Sequence, residues 1–320
     1  MTTRRPGHRG PSASTSDENA PQRTLAVRAA DGTTLHTEIF GPPDGYPIVL
    51  AHGFTCATGV WRYQIAELAA EYRVIAYDQR GHGRSGLPPR RNYSLSYLAS
   101  DLDAVLEATL APRETALLVG HSMGGMAVMA WSDRYRHRVR QRVDAVALLN
   151  TTNGDLLRRV DLLPVPRPLS AARVLAARQL INTFGSFDMP TAFGRPTRTF
   201  VKMLAVGAQA DPAVAGLVYE LFTATSSAGR GGCAKMLAAG VGRRHISLTG
   251  LTVPTLVMGS QRDRLTPISQ SRRIARTLPH CVGLVELPGG HCAMLEQPQR
   301  VNRELRLLAE SVTESRRLTS

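Results

Sequence analysis

Aromatic side chains and long apolar runs are scarce in this 320-residue chain. Aromatic residues make up 5% of the sequence and are not interleaved with the basic residues, so we expect no stacking platform and no nucleic-acid partner. No run of 18 or more apolar residues occurs, which argues against a transmembrane helix. The basic N-terminal segment also lacks the apolar region of a signal peptide, and we therefore expect a cytoplasmic protein.

Cysteines are few, and no two of them form a Cys-x-x-Cys pair. They are interpreted as reduced thiols: Cys56, Cys233, Cys281 and Cys292. The chain has no His-Glu-x-x-His motif and no clustered Cys/His spacing, so no metal is predicted. Residues 81–86 match Gly-x-Gly-x-x-Gly, but they open a loop rich in Pro and Arg instead of a helix. A dinucleotide site is therefore not indicated, and no cofactor is predicted.

Lysine is almost absent from a strongly basic chain. The formal net charge is +14, and only two of the 39 basic residues are lysines, Lys202 and Lys235. Such a bias towards arginine is typical of a GC-rich genome. A functional alternative is weak peripheral association with anionic membranes through the arginine-rich surface. The sequence does not predict an oligomeric state.

Short apolar runs recur along the chain and alternate with amphipathic segments of helical spacing. Residues 1–22 are rich in Pro, Gly, Ser and Arg, which predicts a disordered tail. Asp31-Gly32 separates two runs of alternating polarity and indicates a β-hairpin. Eight strands are predicted, over residues 24–30, 33–40, 46–51, 73–77, 116–119, 143–149, 253–259 and 282–287.

Helices are predicted between most of these strands. Ser94 can cap one of them, and a last helix is predicted over residues 298–310. Alternating strands and helices predict an α/β fold with a mostly parallel sheet covered by helices on both faces. The alternation stops over residues 153–246, which are interpreted as a helical cap, or lid, inserted into the core. The core itself is assigned to residues 23–152 and 247–316.

Residues 120–124, Gly-His-Ser-Met-Gly, match the pattern Gly-x-Ser-x-Gly. The pattern alone is weak, but here it follows a predicted strand and precedes a helix, as a nucleophile elbow requires. The elbow is a tight turn, and Gly120 and Gly124 supply the small residues that it needs. Ser122 is therefore the predicted nucleophile.

A serine hydroxyl needs a base with a pKa near neutrality, which favours histidine. His291 follows the last predicted strand and is the predicted general base. Asp263 follows the strand before it and is predicted to orient the imidazole. Two alternatives remain: Asp263 pairs only with the arginines beside it, or the acid follows the preceding strand, where Asp155 is nearest.

Acyl transfer by serine also requires an oxyanion hole, usually made of two backbone N–H groups. Met123 follows the serine directly, so its N–H is predicted to be one donor. Phe54, which ends a His-Gly-Phe run after an earlier strand, is predicted to supply the other. Because both donors belong to the backbone, the two side chains remain free to line an acyl pocket.

Taken together, the motifs resemble those of the α/β-hydrolase superfamily, in its branch of capped esterases, lipases and haloperoxidases. The matching pieces are residues 52–54, 77–85, 120–125, 259–263 and 290–291. They occur in the family's order and span about Leu25 to Leu308. The resemblance implies the α/β-hydrolase fold and a Ser–Asp–His triad. It leaves the substrate open, because substrate choice in this family usually resides in the cap.

Five other polar residues in the matching motifs are expected to support loops and the elbow instead of reacting. They are His52, Asp78, Arg80, His82 and His121.

The leading functional hypothesis is hydrolysis of a carboxylic ester with an apolar acyl or alcohol group, through an acyl-enzyme. A thioesterase, a carbon–carbon bond hydrolase and a cofactor-free perhydrolase would use the same triad. Dehalogenases and epoxide hydrolases of this fold use an Asp nucleophile, so Ser122 argues against both. A ligand receptor or scaffold on the same fold is a further alternative.

Overall fold

The computed structural model describes residues 20–156, 194–240 and 245–318. Eight strands form one sheet in the order β1-β2-β4-β3-β5-β6-β7-β8. The strands are β1 (Arg23–Arg28), β2 (Thr34–Phe40), β3 (Pro47–Ala51), β4 (Arg73–Tyr77), β5 (Ala116–His121), β6 (Val143–Leu149), β7 (Thr255–Ser260) and β8 (Cys281–Leu287). All eight predicted strands are present, with bounds that differ by a few residues.

The sheet is parallel except at one edge. Strand β2 pairs antiparallel with both β1 and β4, and every other neighbouring pair is parallel. The β1–β2 turn contains Gly32 with a φ of +84°, and Asp31 Oδ1 accepts a 3.2 Å hydrogen bond from the N–H of Thr33. The predicted hairpin is therefore confirmed.

Helices cover both faces of the sheet, as the strand–helix alternation predicts. They are α1 (Arg62–Leu68), α2 (Leu95–Thr109), α3 (Met123–Arg134), α4 (Arg136–Arg142), α5 (Gly194–Ala205), α6 (Pro212–Ala224), α7 (Ser227–Gly240), α8 (Ile268–Thr277), α9 (Ala293–Glu296) and α10 (Pro298–Arg317). A 3₁₀ turn, Thr58–Trp61, precedes α1. Ser94 caps α2 by accepting from the N–H of Tyr97, as predicted.

Strand β3 shows why the central strands are continuous apolar runs. Val49 and Ala51 join an apolar cluster with residues of α2, α3 and α8, on one face of the sheet. Ile48 and Leu50 join a second cluster with residues of α1, α9 and α10, on the other face. Successive side chains of a strand point to opposite faces, so a strand between two helix layers is apolar at every position.

The last helix is longer than predicted. We expected it to end at Glu310, but α10 continues to Arg317. Val312 is still buried against the core, so the apolar face extends past the predicted end. In folded proteins most helical stability comes from packing of an apolar face, so this buried side chain favours the longer helix.

The chain between β6 and β7 contains three described helices, α5, α6 and α7. Helix α7 contacts the loop after β4 closely: a Cβ added at Gly229 would overlap the carbonyl oxygen of Gly81, and one at Gly232 would overlap the ring of Tyr93. The helical content predicted for residues 153–246 is present in these three helices, while residues 157–193 and 241–244 lie outside the described residues. Whether the segment acts as a cap stays a prediction.

Two further predictions concern the ends of the chain and the membrane. Of the predicted tail, residues 1–22, only residues 20–22 are described. Among the helices of the described ranges, none is both long enough and apolar enough to cross a membrane.

Candidate active site

Ser122 stands in a strained turn between β5 and α3. Its φ is 52° and its ψ is −116°, a conformation that costs a non-glycine residue about 1–3 kcal/mol. Neighbouring strand ends hold the turn: the Ser122 N–H donates to the Leu149 carbonyl at 3.0 Å, and the Thr151 hydroxyl donates to the Ser122 carbonyl at 2.7 Å. The strand–turn–helix context predicted for a nucleophile elbow is therefore present.

The two predicted elbow glycines sit where a side chain has no room. A Cβ at Gly120 would lie 2.6 Å from the Cα of Gly125. A Cβ at Gly124 would overlap the carbonyl oxygen of Ala51, at the end of β3. The first turn of α3 can approach β3 and double back on β5 only because these positions lack side chains.

The loop after β3 packs directly on the elbow. A Cβ at Gly53 would lie 3.1 Å from the Cβ of Ser122, which brings the adjacent Phe54 to the nucleophile. Met123 is the first residue of α3, where backbone N–H groups have no acceptor inside the helix. The two predicted oxyanion donors thus belong to segments that meet at Ser122, although their role as donors stays a prediction.

His52 anchors this loop as a neutral imidazole. Its Nε2 accepts a hydrogen bond from the Gln79 N–H at 2.9 Å, so Nδ1 carries the proton and donates to the Gly53 carbonyl at 2.7 Å. Complete burial lowers the pKa of His52 to about 4. The imidazole therefore fixes the carbonyl of Gly53 without adding charge to the site.

His82 supports the same loop from its other side. Its Nε2 accepts from the N–H of Thr55 at 3.1 Å, and its Nδ1 donates to the Arg80 carbonyl at 3.1 Å. Burial lowers the pKa of His82 to about 3. Thr55 adopts a φ of +54°, so the chain immediately after Phe54 is held in a sparsely populated conformation.

His121 links the elbow to the loop that carries His291. Its Nε2–H donates to the His291 carbonyl at 3.0 Å, and the two ring centroids lie 4.8 Å apart. Burial, followed by the nearby His291, holds the pKa of His121 well below its ordinary value. His121 is the residue before Ser122, so this bond ties the backbone of the His291 loop to the elbow.

Asp263 and His291 form the hydrogen bond that a catalytic pair needs. His291 Nδ1 lies 2.7 Å from Asp263 Oδ2, and both side chains are almost fully buried. The other carboxylate oxygen accepts from the N–H groups of Leu265 and Thr266 at 2.8 and 2.9 Å. An ionised carboxylate accepts all of these bonds, and its contact with Nδ1 leaves the proton-free Nε2 for a general base.

Asn150, at the end of β6, also holds the carboxylate. Its Nδ2 amide lies 2.9 Å from Asp263 Oδ2, 3.0 Å from Ser260 Oγ and 3.1 Å from the Gly290 carbonyl. Asn150 has a φ of +44°, a left-handed conformation that Asn tolerates better than most residues. One side chain thereby connects the ends of β6 and β7 to the loop that precedes His291.

Asp155, the alternative acid, is engaged elsewhere. Its Oδ2 lies 3.0 Å from Arg273 Nη1 and 3.6 Å from His245 Nε2. The carboxylate bonded to His291 is that of Asp263.

The three predicted triad residues are recessed. Ser122 is 9% exposed, and Asp263 and His291 are each 5% exposed. Within residues 20–156, 194–240 and 245–318, no group of three or more His, Cys, Asp and Glu side chains could hold a metal ion. The site is therefore built from hydrogen-bonded side chains and backbone groups.

Sequence reasoning passed over several residues that build this site. Asn150 and Thr266 were not assigned contacts with Asp263, and Glu296, which bonds the backbone before His291, was not considered. A polar residue immediately after a buried strand was the available signal for Asn150. No local pattern marks Glu296, because its partners are remote backbone groups.

Comparison with known proteins places the chain in a family. Residues 46–298 match the family described as alpha/beta hydrolase fold. The Variovorax paradoxus (strain S110) protein named "Putative carbamate hydrolase RutD" is 31% identical over 275 residues, which make up 85% of this chain and 94% of that protein.

Two further comparisons show how widely the named activities vary. Epoxide hydrolase B of Mycobacterium tuberculosis (strain ATCC 25618 / H37Rv) is 42% identical over 110 residues, which cover only 33% of this chain and 30% of that protein. The enol-lactonase from Burkholderia xenovorans LB400 has a crystal structure that superposes with a TM-score of 0.68 at 25% identity, covering 88% of this chain and 98% of that one. This chain therefore belongs to the α/β-hydrolase fold family.

Proposed function

We propose that the protein is a serine hydrolase that cleaves a carboxylic ester with an apolar acyl or alcohol group through an acyl-enzyme. The observation that carries the proposal is the 2.7 Å contact between His291 Nδ1 and Asp263 Oδ2, beside the strained elbow of Ser122. Family membership supports hydrolase chemistry in general. The ester substrate and the roles of the individual residues are part of the proposal.

Acylation begins with proton transfer from the Ser122 hydroxyl to His291 Nε2 while Oγ attacks the acyl carbon. Asp263 holds the imidazole through Nδ1 and stabilises the positive charge that the ring then carries. The N–H groups of Phe54 and Met123 stabilise the oxyanion of the tetrahedral intermediate. His291 returns the proton to the leaving alcohol oxygen as the acyl–oxygen bond breaks.

Deacylation uses the same groups with water as the nucleophile. His291 takes a proton from water, the hydroxide attacks the acyl carbon, and Ser122 Oγ leaves with the proton that His291 gives back. The products are a carboxylic acid, an alcohol and the free enzyme. No step draws on a redox partner.

Support for an ester comes from the chemistry of the site and of a relative. The residues of the predicted oxyanion donors, Phe54 and Met123, have apolar side chains that pack in the core cluster, so neither brings a charge to the site. A lactone is a cyclic ester, and the enol-lactonase structure shares the fold over most of both chains. The three buried imidazoles near the loop and elbow are neutral, so the site carries little fixed positive charge.

The test is a panel of chromogenic acyl esters from short to long chains, assayed with the wild type and with Ser122→Ala. Turnover that disappears in the variant is expected, and the optimal chain length measures the acyl pocket. Labelling of Ser122 by a fluorophosphonate provides a second readout that needs no substrate preference. Neither turnover nor labelling in a folded wild type would contradict the proposal and favour a receptor or scaffold on the same fold.

Carbamate hydrolysis is a second candidate, favoured by the whole-length similarity to the protein named as a carbamate hydrolase. A carbamate presents an acyl carbon to the same serine, so the reaction would also pass through an oxyanion. Aryl carbamates matched to the ester panel in their leaving group separate the two. A higher kcat/KM for the carbamates, abolished in Ser122→Ala, would replace the ester proposal.

A further inference from the structure

Both backbone amides that flank His291 are bonded to groups outside their own loop. The Gly290 N–H donates to the Glu296 carboxylate, at 3.1 Å from Oε1 and 3.0 Å from Oε2. The Cys292 N–H donates to the carbonyl oxygen of Ala205, the last residue of α5, at 3.0 Å. The chain is thus held on both sides of the histidine.

Glu296 contacts the end of α5 as well. Its Oε2 accepts a 2.9 Å hydrogen bond from the N–H of Gly207, two residues beyond the helix. The Glu296 carboxylate therefore accepts hydrogen bonds from Gly290, the residue before His291, and from Gly207, just beyond α5. Ala205 and Gly207 belong to the segment inserted between β6 and β7, so two separate bonds tie that segment to the His291 loop.

The two segments also touch through their backbones. A Cβ at Gly290 would overlap the backbone nitrogen of Gly207, and a Cβ at Gly207 would lie 3.2 Å from the Cα of Gly289. Gly289 itself has a φ of +104°, which side chains rarely adopt. With no side chains between them, a displacement of the α5 end is transmitted directly to the residue before His291.

Glu296 is close enough to the triad for its charge to act there. Burial raises the pKa of its carboxyl, the N–H groups of Gly290 and Gly207 lower it, and Asp263 and His291 act on it electrostatically. Burial raises the pKa of the Cys292 thiol well above its ordinary value, and the charge of Glu296 adds to that rise.

We propose that Glu296 is a positioning residue that couples the inserted segment to the general base, so that the placement of Ala205–Gly207 sets the placement of His291. This inference rests on the proposed function, in which His291 acts as the base. The inserted segment would then influence the position of the general base as well as the binding of substrate. A segment that moves when substrate binds would move the imidazole with it.

The test compares three substitutions in the full chain. Glu296→Gln removes the charge but keeps one acceptor oxygen, and Glu296→Asp keeps the charge but shortens the reach. Gly207→Ala perturbs the contact between the α5 end and the His291 loop, since its added Cβ would lie 2.8 Å from Glu296 Oε2 and 3.2 Å from the Cα of Gly289. Glu310→Gln, the same change at an exposed position of α10, is the matched control.

We expect kcat on the preferred ester to fall roughly ten- to a hundred-fold in all three variants, with a smaller change in KM, because a displaced base lowers the rate more than binding. Glu310→Gln changes neither quantity.

The inference fails if folded Glu296→Gln matches Glu310→Gln in kcat. It also fails if Gly207→Ala retains wild-type kcat, since the coupling then does not pass through α5. In either case the proposed function stands, provided that Ser122→Ala is inactive. If the wild type turns over no ester, the rate at which a fluorophosphonate labels Ser122 decides the matter: it falls in Glu296→Gln but not in Glu310→Gln.

Discussion

The side-chain amide of Asn150 lies 2.9 Å from Oδ2 of Asp263, the same oxygen that contacts His291 at 2.7 Å. The Thr266 hydroxyl also donates to this oxygen, at 2.7 Å, so three donors converge on it. The amide also reaches the carbonyl of Gly290, one residue before His291. Asn150 thus contacts both the predicted acid and the loop that carries the predicted base.

Replacing Asn150 with Gly is expected to lower kcat/KM about ten-fold, because a hydrogen bond to a charged group contributes about 1.5–3 kcal/mol. Glycine accepts the φ of +44°, so the variant loses the amide without added backbone strain. Steady-state kinetics and a thermal melt measure the two effects. Asn150→Asp is the contrasting variant: a second carboxylate beside Asp263 should lower activity further, and equal activity in both would argue against the role.

Asp263→Asn should lower kcat by roughly a thousand- to ten-thousand-fold, since an amide no longer stabilises the imidazolium or the required tautomer. Asp155→Asn is the control, because Asp155 pairs with Arg273 and His245 instead of His291. It should retain activity within a few-fold. A large loss in Asp155→Asn together with a small one in Asp263→Asn would reverse the assignment of the acid.

Gly124→Ala should destabilise the fold by about 3 kcal/mol or more, because its Cβ would overlap the carbonyl oxygen of Ala51 and force α3 away from β3. Urea unfolding measures the change. Gly216→Ala is the matched control: it lies in α6, where the nearest atom to an added Cβ, on Arg198, is 3.9 Å away. There alanine should be neutral or stabilising by up to about 1 kcal/mol, as helix propensity predicts.

Lowering the pH should destabilise the protein already above the pH range in which its carboxylates become protonated. The pKa values of His52 and His82 are about 4 and about 3 when folded, against about 6.5 when unfolded. Between these values the unfolded chain binds more protons, so the free energy of unfolding falls as pH falls from 7 to 5. The slope is up to about 1.4 kcal/mol per pH unit for each histidine.

The variant that tests this is His82→Asn, measured by urea unfolding at several pH values. It should be less stable at pH 7 but show a shallower loss of stability towards pH 5. His137→Asn, at an exposed position of α4, is the comparison and should keep the wild-type slope. An unchanged slope in His82→Asn would mean that this imidazole is already accessible to protons.

Much of the fold follows from local patterns. The apolar runs of β3 and β5 and the Asp31-Gly32 turn are visible in the sequence because they reflect burial and backbone conformation at neighbouring positions. The end of α10 was misjudged because continued packing of Val312, a tertiary contact, extends the helix. Apolar residues show no clear helical periodicity in the inserted segment. The sequence therefore predicted helical content there but not the bounds of α5 to α7.

By itself, the sequence determined the strand order along the chain and the residue types at the strand ends, including Ser122 in its glycine-flanked elbow. These depend on short segments, whose conformations are set by nearby residues. Only the tertiary structure decided that Asn150 meets Asp263, 113 positions away, and that Glu296 joins the His291 loop to α5. These contacts form where the ends of β6, β7 and an inserted helix come together. Buried polar groups need hydrogen-bond partners, and only the folded chain determines which partners are close enough.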